Sequence, residues 1–321
     1  MRIVFMERNS LGLDVRIDRF RELGEVVCYG ASDPQENANR IKDADIVVVN
    51  KIPMNAAVLD GAKNLKLICL TATGTNNVDF DYVNKRNIIV ENVSGYSTES
   101  VLLHTFTMLL FLFEHISYYD SYVKNGEYEK SGGFSHFGRT YHELHGKTWG
   151  IIGLGTIGRR VAEVASAFGC NVIYYSTSGK NNDETHRRVE LSELLRESDV
   201  ISIHCPLNQR TKGLIAADEL AQMKKSAYIL NLGRGGIIDE QALYDALVNN
   251  TIAGAGLDVL SAEPIRADNP LNAIKDSEKL IITPHQGWGA IEARQRCIDE
   301  TYENISAFLR GEDRNRVFGG V

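Results

Sequence analysis

TWGIIGLGTIGRRVAEVASAFGCNVIYY, residues 148–175, runs without interruption from an apolar strand through a glycine turn and a helix into a second strand. A bare G-x-G-x-x-G is weak evidence, because glycines recur in turns for many reasons. Here Gly153, Gly155 and Gly158 follow the strand directly, open the helix and lead on to the next strand, and that context makes the spacing specific for a dinucleotide. Gly153 permits the tight turn and Gly155 lets backbone approach a pyrophosphate. Gly158 lets the helix pack on its strand, and the first helical N–H groups are offered to the anion. The stretch predicts a Rossmann unit.

On the C-terminal side the alternation continues through VISIHC, YILNLG, AGAGLDV and LIITPH, with helical segments between most of them. On the N-terminal side RIVFM, EVVCYG, ADIVVVN, LKLICLTAT and IIVENV are strand-like runs separated by helix-length connections. Strands this apolar indicate parallel sheets covered on both faces, and two successive runs of them predict two doubly wound α/β units. A length of 321 residues exceeds what one core usually supports, which agrees with two domains. Residues 101–116, VLLHTFTMLLFLFEHI, predict one buried helix capped by Ser97 or Thr98. It is too short for a bilayer and suits a domain core and a subunit interface together. Residues 125–146 read as irregular surface, and residues 291–309 as a charged helix that returns to the first domain.

The net charge of −7, with no basic block, argues against nucleic acid or an anionic membrane as partner and favours a small-molecule substrate. Cys28, Cys69, Cys170, Cys205 and Cys297 are odd in number, widely spaced and without a C-x-x-C pair, so they predict reduced thiols and no metal site. With no signal peptide at the start, a cytoplasmic protein is expected.

Cofactor choice stays open. After VIYY an NAD-preferring unit usually presents Asp or Glu to the adenosine ribose, but this chain has Ser176 followed by TSGKNND. Ser176, Thr177, Ser178 and Lys180 are able to hold a 2′-phosphate. Equally, Ser176 is able to bond the ribose hydroxyls of NAD while Lys180 stays in solvent.

TATGTNNVD, GYSTESVLLHTF, GIIGLGTIGRRVA, NLGRGGIIDE, AGAGLDVLSAEP and TPHQGW stand in the order and spacing of the D-isomer-specific 2-hydroxyacid dehydrogenases, a family that the whole chain resembles. The resemblance implies a Rossmann cofactor domain, residues 99–289, inserted in a flavodoxin-like catalytic domain made of residues 1–98 and 290–321. It also implies catalysis in the cleft between them and a homodimer. Carried over residue by residue, it makes Arg234, Glu263 and His285 catalytic, and it places the Thr73 and Gly74 backbone on the substrate carboxylate. Beyond the glycines and Ser176, the implied NAD or NADP contacts are Thr156, Ile157, Pro206, Thr211, Leu232, Gly233 and Asp258. His204 is expected to be structural, at the cofactor's lip. Leu103 departs from an acidic residue common among relatives, and Lys51 is expected to be solvated.

The chemistry explains these residue types. Arg234 can fork two hydrogen bonds to a carboxylate or reach a 2-oxo group. Hydride arrival leaves an alkoxide that must be protonated as it forms, and His285 would supply that proton with Glu263 favouring the charged ring and holding it. The expected activity is reduction of a small 2-oxo acid by NAD(P)H, with hydroxypyruvate and D-glycerate as the first pair and glyoxylate as a side substrate. The alternative is a dinucleotide-sensing scaffold of the corepressor type.

Overall fold

A computed structural model describes residues 1–318, which fall into two units: residues 1–97 with the chain from Trp288 onward, and residues 98–287.

The first unit holds β1 (Arg2–Phe5), β2 (Glu25–Cys28), β3 (Ile46–Val49), β4 (Leu67–Leu70) and β5 (Ile89–Glu91) in one parallel sheet of order β2-β1-β3-β4-β5. This is the flavodoxin-type order. All four residues of β3 and of β4 are buried, as continuous apolar runs in a two-sided parallel sheet require. One face is covered by the helix Ile291–Arg310, whose Ile298, Tyr302 and Ile305 pack with Phe5, Phe20, Val48 and Leu67. The charged helix read at the chain's end thus joins the first unit, on a stripe that repeats every three to four residues. Beyond it the chain turns back on β5, where Val317 N–H donates to the Val90 carbonyl (2.8 Å).

The second unit is a seven-stranded parallel sheet. Its strands are β6 (Thr148–Ile152), β7 (Asn171–Tyr175), β8 (Arg187–Arg188), β9 (Val200–Ile203), β10 (Tyr228–Asn231), β11 (Gly254–Leu257) and β12 (Leu280–Ile282), in the order β12-β11-β10-β9-β6-β7-β8. The chain winds outward from β6 to β8, then returns to the other side of β6 as β9. That reversal is a topological switch point, and ligands of open α/β sheets bind beyond the strand ends there. β8, only two residues long and both arginines, carries no apolar pattern and was invisible in the sequence.

Two other expectations are corrected. The apolar helix spans Thr98–Phe113 rather than running on to Ile116, because His115 takes a left-handed conformation (φ 52°) and a second helix, Ile116–Lys124, starts there in a new direction. The stretch read as irregular contains the short helix Glu127–Ser131. Among the described residues no single helix is long and apolar enough to cross a membrane.

Candidate active site

The glycine turn sits at the switch point for steric reasons. Gly153 has φ 96°, and a Cβ there would meet the Cys205 Cβ at 2.7 Å, so only glycine lets the loop after β6 touch the loop after β9. A Cβ on Gly158 would collide with the Gly153 carbonyl, which is the close packing of helix on strand expected from the motif. Gly155 differs from both: a Cβ added there meets nothing within 4 Å. The open space lies over the first turn of helix Thr156–Ala167, where Arg159 N–H donates to the Gly155 carbonyl (2.9 Å). The N–H groups of Thr156, Ile157 and Gly158 precede that bond and have no carbonyl one turn back to bind.

Two more groups flank this turn. Ser176, one residue past β7, is 5% exposed, yet its hydroxyl has no hydrogen-bond partner. His204, one residue past β9, has both ring nitrogens buried without a partner, and burial pushes its imidazole down to about 3, so the ring is neutral. Since Ile152 pairs with Tyr175 on one side and Ile203 on the other, Ser176 and His204 stand level with Gly153 on either side of it. Buried polar groups left unpaired are rare and costly. Two of them around an open anion cradle fit the adenosine and pyrophosphate of a dinucleotide.

The remaining expected cofactor contacts divide. Pro206 is exposed, and Leu232 and Gly233 lie in the turn after β10. Thr211 is wholly buried; its hydroxyl donates to the Pro206 carbonyl (2.7 Å) and accepts from Asn208 N–H (2.8 Å). Its part is therefore to shape the Pro206 loop.

Arg234, Glu263 and His285 all belong to this second unit, on the loops after β10, β11 and β12. Asn231, 1% exposed, folds the first loop by accepting from Gly233 N–H (3.1 Å) and donating to the Arg234 carbonyl (2.9 Å). A Cβ on Gly235 would fall inside the Leu260 carbonyl, so glycine is what lets the Arg234 loop lie against the Glu263 loop. Glu263 turns back on its own loop, accepting from Leu260 N–H at 3.1 Å through Oε1. Its other oxygen accepts from His285 Nδ1 at 2.7 Å. A carboxylate only accepts, so Nδ1 carries the proton and Nε2 is left as the atom that exchanges one.

Asp258 is 3% exposed and accepts from Thr283 Oγ1 (2.6 Å), Gln286 N–H (2.6 Å) and Gly287 N–H (2.8 Å), with His104 Nε2 at 3.4 Å. Burial raises the Asp258 carboxyl, but the hydrogen bonds from His104, Thr283, Gly287 and Gln286 outweigh it and hold the group ionised, below its usual range. Its carbonyl accepts from His285 N–H (2.9 Å), and His285 itself has φ 53°. Expected as a cofactor contact, Asp258 here clamps the loop that carries His285. The same loop is held by one face of helix Thr98–Phe113: Ser100 donates to the Gly287 carbonyl (2.6 Å), and His104 Nε2 lies 2.9 Å from Thr283 Oγ1. Sequence reading missed Ser100 and His104; their i, i+4 spacing on an otherwise apolar helix was the available signal.

In the first unit, Thr73 is exposed and its hydroxyl donates to the Val93 carbonyl (3.0 Å), while Asn92 donates to the Thr73 carbonyl (2.7 Å). These bonds fix the turn that carries Gly74 and leave the Thr73 and Gly74 N–H groups out of them.

Residues 106–287 match the family model described as D-isomer specific 2-hydroxyacid dehydrogenase, NAD binding domain. A hydroxypyruvate reductase of Blautia hydrogenotrophica is 40% identical over 301 residues, 92% of this chain and 92% of that one. An acyclic imino acid reductase solved with NADPH and D-Arg superposes with a TM-score of 0.86 at 30% identity, covering 99% of this chain and 100% of that one. A D-lactate dehydrogenase of Aquifex aeolicus solved with NAD and lactic acid gives 0.86 at 28% identity, with 100% of each chain covered.

Proposed function

The chain belongs to the D-isomer-specific 2-hydroxyacid dehydrogenases and carries their nicotinamide-dinucleotide-binding domain, and we propose that within the family it reduces hydroxypyruvate to D-glycerate, with glyoxylate as a slower substrate. The observation that carries this reading is the His285–Glu263 pair at 2.7 Å. A reduced nicotinamide supplies the hydride to the 2-oxo carbon. His285 delivers a proton from Nε2 to the carbonyl oxygen, and Glu263 holds the ring and compensates the charge of the imidazolium before transfer. Arg234 fixes the carboxylate or the 2-oxo oxygen of the substrate by paired hydrogen bonds. In the oxidative direction neutral His285 takes the hydroxyl proton back.

The dinucleotide is assigned to Gly153, Gly155, Gly158, Thr156, Ile157, Ser176, Pro206, Leu232 and Gly233, with Thr211 and Asp258 acting through the loops they brace. The Thr73–Gly74 turn is assigned to carboxylate binding through its N–H groups; Gly74→Pro is expected to raise KM for hydroxypyruvate while leaving cofactor affinity unchanged. Cytoplasmic residence is part of the reading, supported by five free thiols. So is a homodimer, supported by the exposed rings of Phe134 and Phe137.

The test is to mix purified protein with NADH or NADPH and a panel of 2-oxo acids and follow absorbance of the reduced nicotinamide. Hydroxypyruvate is expected to give the highest kcat/KM. No consumption of either cofactor with any acid on the panel would defeat the proposal and favour a dinucleotide-sensing scaffold.

A further inference from the structure

The turn that carries Thr73 and Gly74 is gripped by the two residues just past β5. Thr73 Oγ1 donates to the Val93 carbonyl (3.0 Å), and Asn92 Nδ2 donates to the Thr73 carbonyl (2.7 Å). Val93 N–H also donates to the Ala72 carbonyl (3.2 Å), which carries the pairing of β4 with β5 on into the turn. The Thr73 carbonyl and the Gly74 N–H belong to one trans peptide plane and point in opposite directions. A donor fixed on the carbonyl therefore fixes where the N–H points, and by polarising the peptide it makes that N–H a stronger donor.

Asn92 is itself held by its main chain. Asn304, wholly buried on helix Ile291–Arg310, donates from Nδ2 to the Asn92 carbonyl (3.0 Å), and Asn92 N–H donates to the Asn315 carbonyl (3.2 Å). Asn315 Nδ2 donates in turn to Asn304 Oδ1 (2.9 Å). Asn315 has φ 52°, a left-handed conformation that asparagine visits more readily than most residues, and it is followed by the Arg316 bridge to Glu91 on β5. With both main-chain groups of Asn92 engaged by the helix and the segment after it, its side-chain amide is presented to the turn. Three asparagines from three places in the chain thus end on one peptide plane, all within the first unit.

We propose that Asn92 is a positioning residue for the substrate: through the Thr73 carbonyl it aims and polarises the Gly74 N–H toward the carboxylate of the 2-oxo acid, with Asn304 and Asn315 holding it in place. The inference rests on the reading of this turn as the carboxylate site and adds residues that act on it without touching the substrate. Every 2-oxo acid has the same carboxylate, so Asn92 acts on all of them alike and leaves selection among them to other groups. The contact is the same in the bound substrate and in the transition state, so its loss belongs in KM rather than in kcat.

Steady-state kinetics of Asn92→Leu, close in shape and without the donor, test this. KM for hydroxypyruvate and KM for glyoxylate are expected to rise by the same factor, about tenfold, as weakening a hydrogen bond to a charged acceptor provides, with kcat and the affinity for the reduced cofactor nearly unchanged. A purely structural residue would lower the melting temperature without that split. Asn315→Gly keeps the bend and the carbonyl but drops the amide; it should raise KM in the same direction by a smaller factor, and it carries the test if Asn92→Leu does not fold. An unchanged KM in the folded variant, or a loss confined to kcat, would overturn the role of Asn92. Gly74→Pro tells the two readings apart: a raised KM there would leave the carboxylate site standing without Asn92, and an unchanged KM would overturn both.

Discussion

On the proposed mechanism Glu263 is the residue whose identity matters most beside His285, because its charge rather than its shape is what an imidazolium needs. Glu263→Gln keeps an oxygen available to Nδ1 and removes the charge, so kcat for hydroxypyruvate should fall by about tenfold to a hundredfold, the worth of a charge-assisted bond, with KM little changed. Steady-state kinetics at fixed pH check this; an unaltered kcat would remove Glu263 from the acid's support. A second carboxylate, outside the site, makes a prediction about stability. Glu91 is 1% exposed, with Cys69 Sγ as its partner at 3.8 Å. Burial chiefly, with Asp313 adding, raises its carboxyl from 4.5 to about 7 against the lowering effects of Cys69, Arg316 and Arg314. The folded state therefore binds this proton more tightly than the unfolded chain does. Its contribution is fully present below about pH 4.5 and is lost as pH rises through about 7. Denaturant titrations of Glu91→Gln and the unaltered protein at pH 5 and pH 8 should show the variant gaining relative stability at pH 8, by up to about 3 kcal/mol. A difference that does not change with pH would contradict the assignment. Glu91 was not legible in the sequence, because burial of a polar residue depends on the face its strand presents and an isolated type reveals nothing of that; His204 was legible as structural from its place before Pro206, but its two unpartnered ring nitrogens were not. That Arg234, Glu263 and His285 each stand just past a strand end was legible, because each lies in a motif that follows an apolar run.

At the scale of elements, the site is a set of loops drawn together by glycines and braced by one helix. The apolar runs located every long strand because their burial is continuous, and the Rossmann turn was readable because three glycines stand at fixed steps between strand and helix. The contacts between loops were not readable, since they join segments distant in the chain. Gly235 shows the difference: the sequence offers it as part of a turn, whereas the structure makes it the point where the Arg234 loop presses on the Leu260 carbonyl. Gly235→Ala is expected to force these loops apart, costing about 1–3 kcal/mol of stability as overpacking does and lowering kcat/KM for hydroxypyruvate by about tenfold or more, since small misplacements of reacting groups are expensive. Thermal denaturation and kinetics on the same sample check both parts. Full activity in a stable Gly235→Ala protein would show that the close approach is not needed.

For the whole molecule, two α/β units with separate cores were readable from two series of strands, and the comparisons agree on the fold. The proposed association with a second copy belongs to this scale. The segment carrying Phe134 and Phe137 is pinned to helix Ile116–Lys124, with the His136 ring stacked on Tyr122 at 3.8 Å and Tyr119 donating to the Arg139 carbonyl (2.7 Å). Its two phenyl rings nevertheless stand 96% and 88% exposed. An ordered segment presenting bare aromatic rings suits a symmetric interface, where one apolar patch meets its own copy. Sedimentation velocity should give twice the mass of the chain, and Phe134→Glu/Phe137→Glu should give one; a monomer before substitution would refute the dimer.

The proton donor is the centre of the account, and single-turnover reduction by a His285→Gln variant addresses it most directly. With NADH or NADPH prebound and hydroxypyruvate added in a stopped-flow instrument, the loss of reduced-nicotinamide absorbance should slow by about a hundredfold to ten-thousandfold, while the affinity for the reduced cofactor stays as it was. Oxidation of the bound cofactor at the unaltered rate would show that another group protonates the alkoxide.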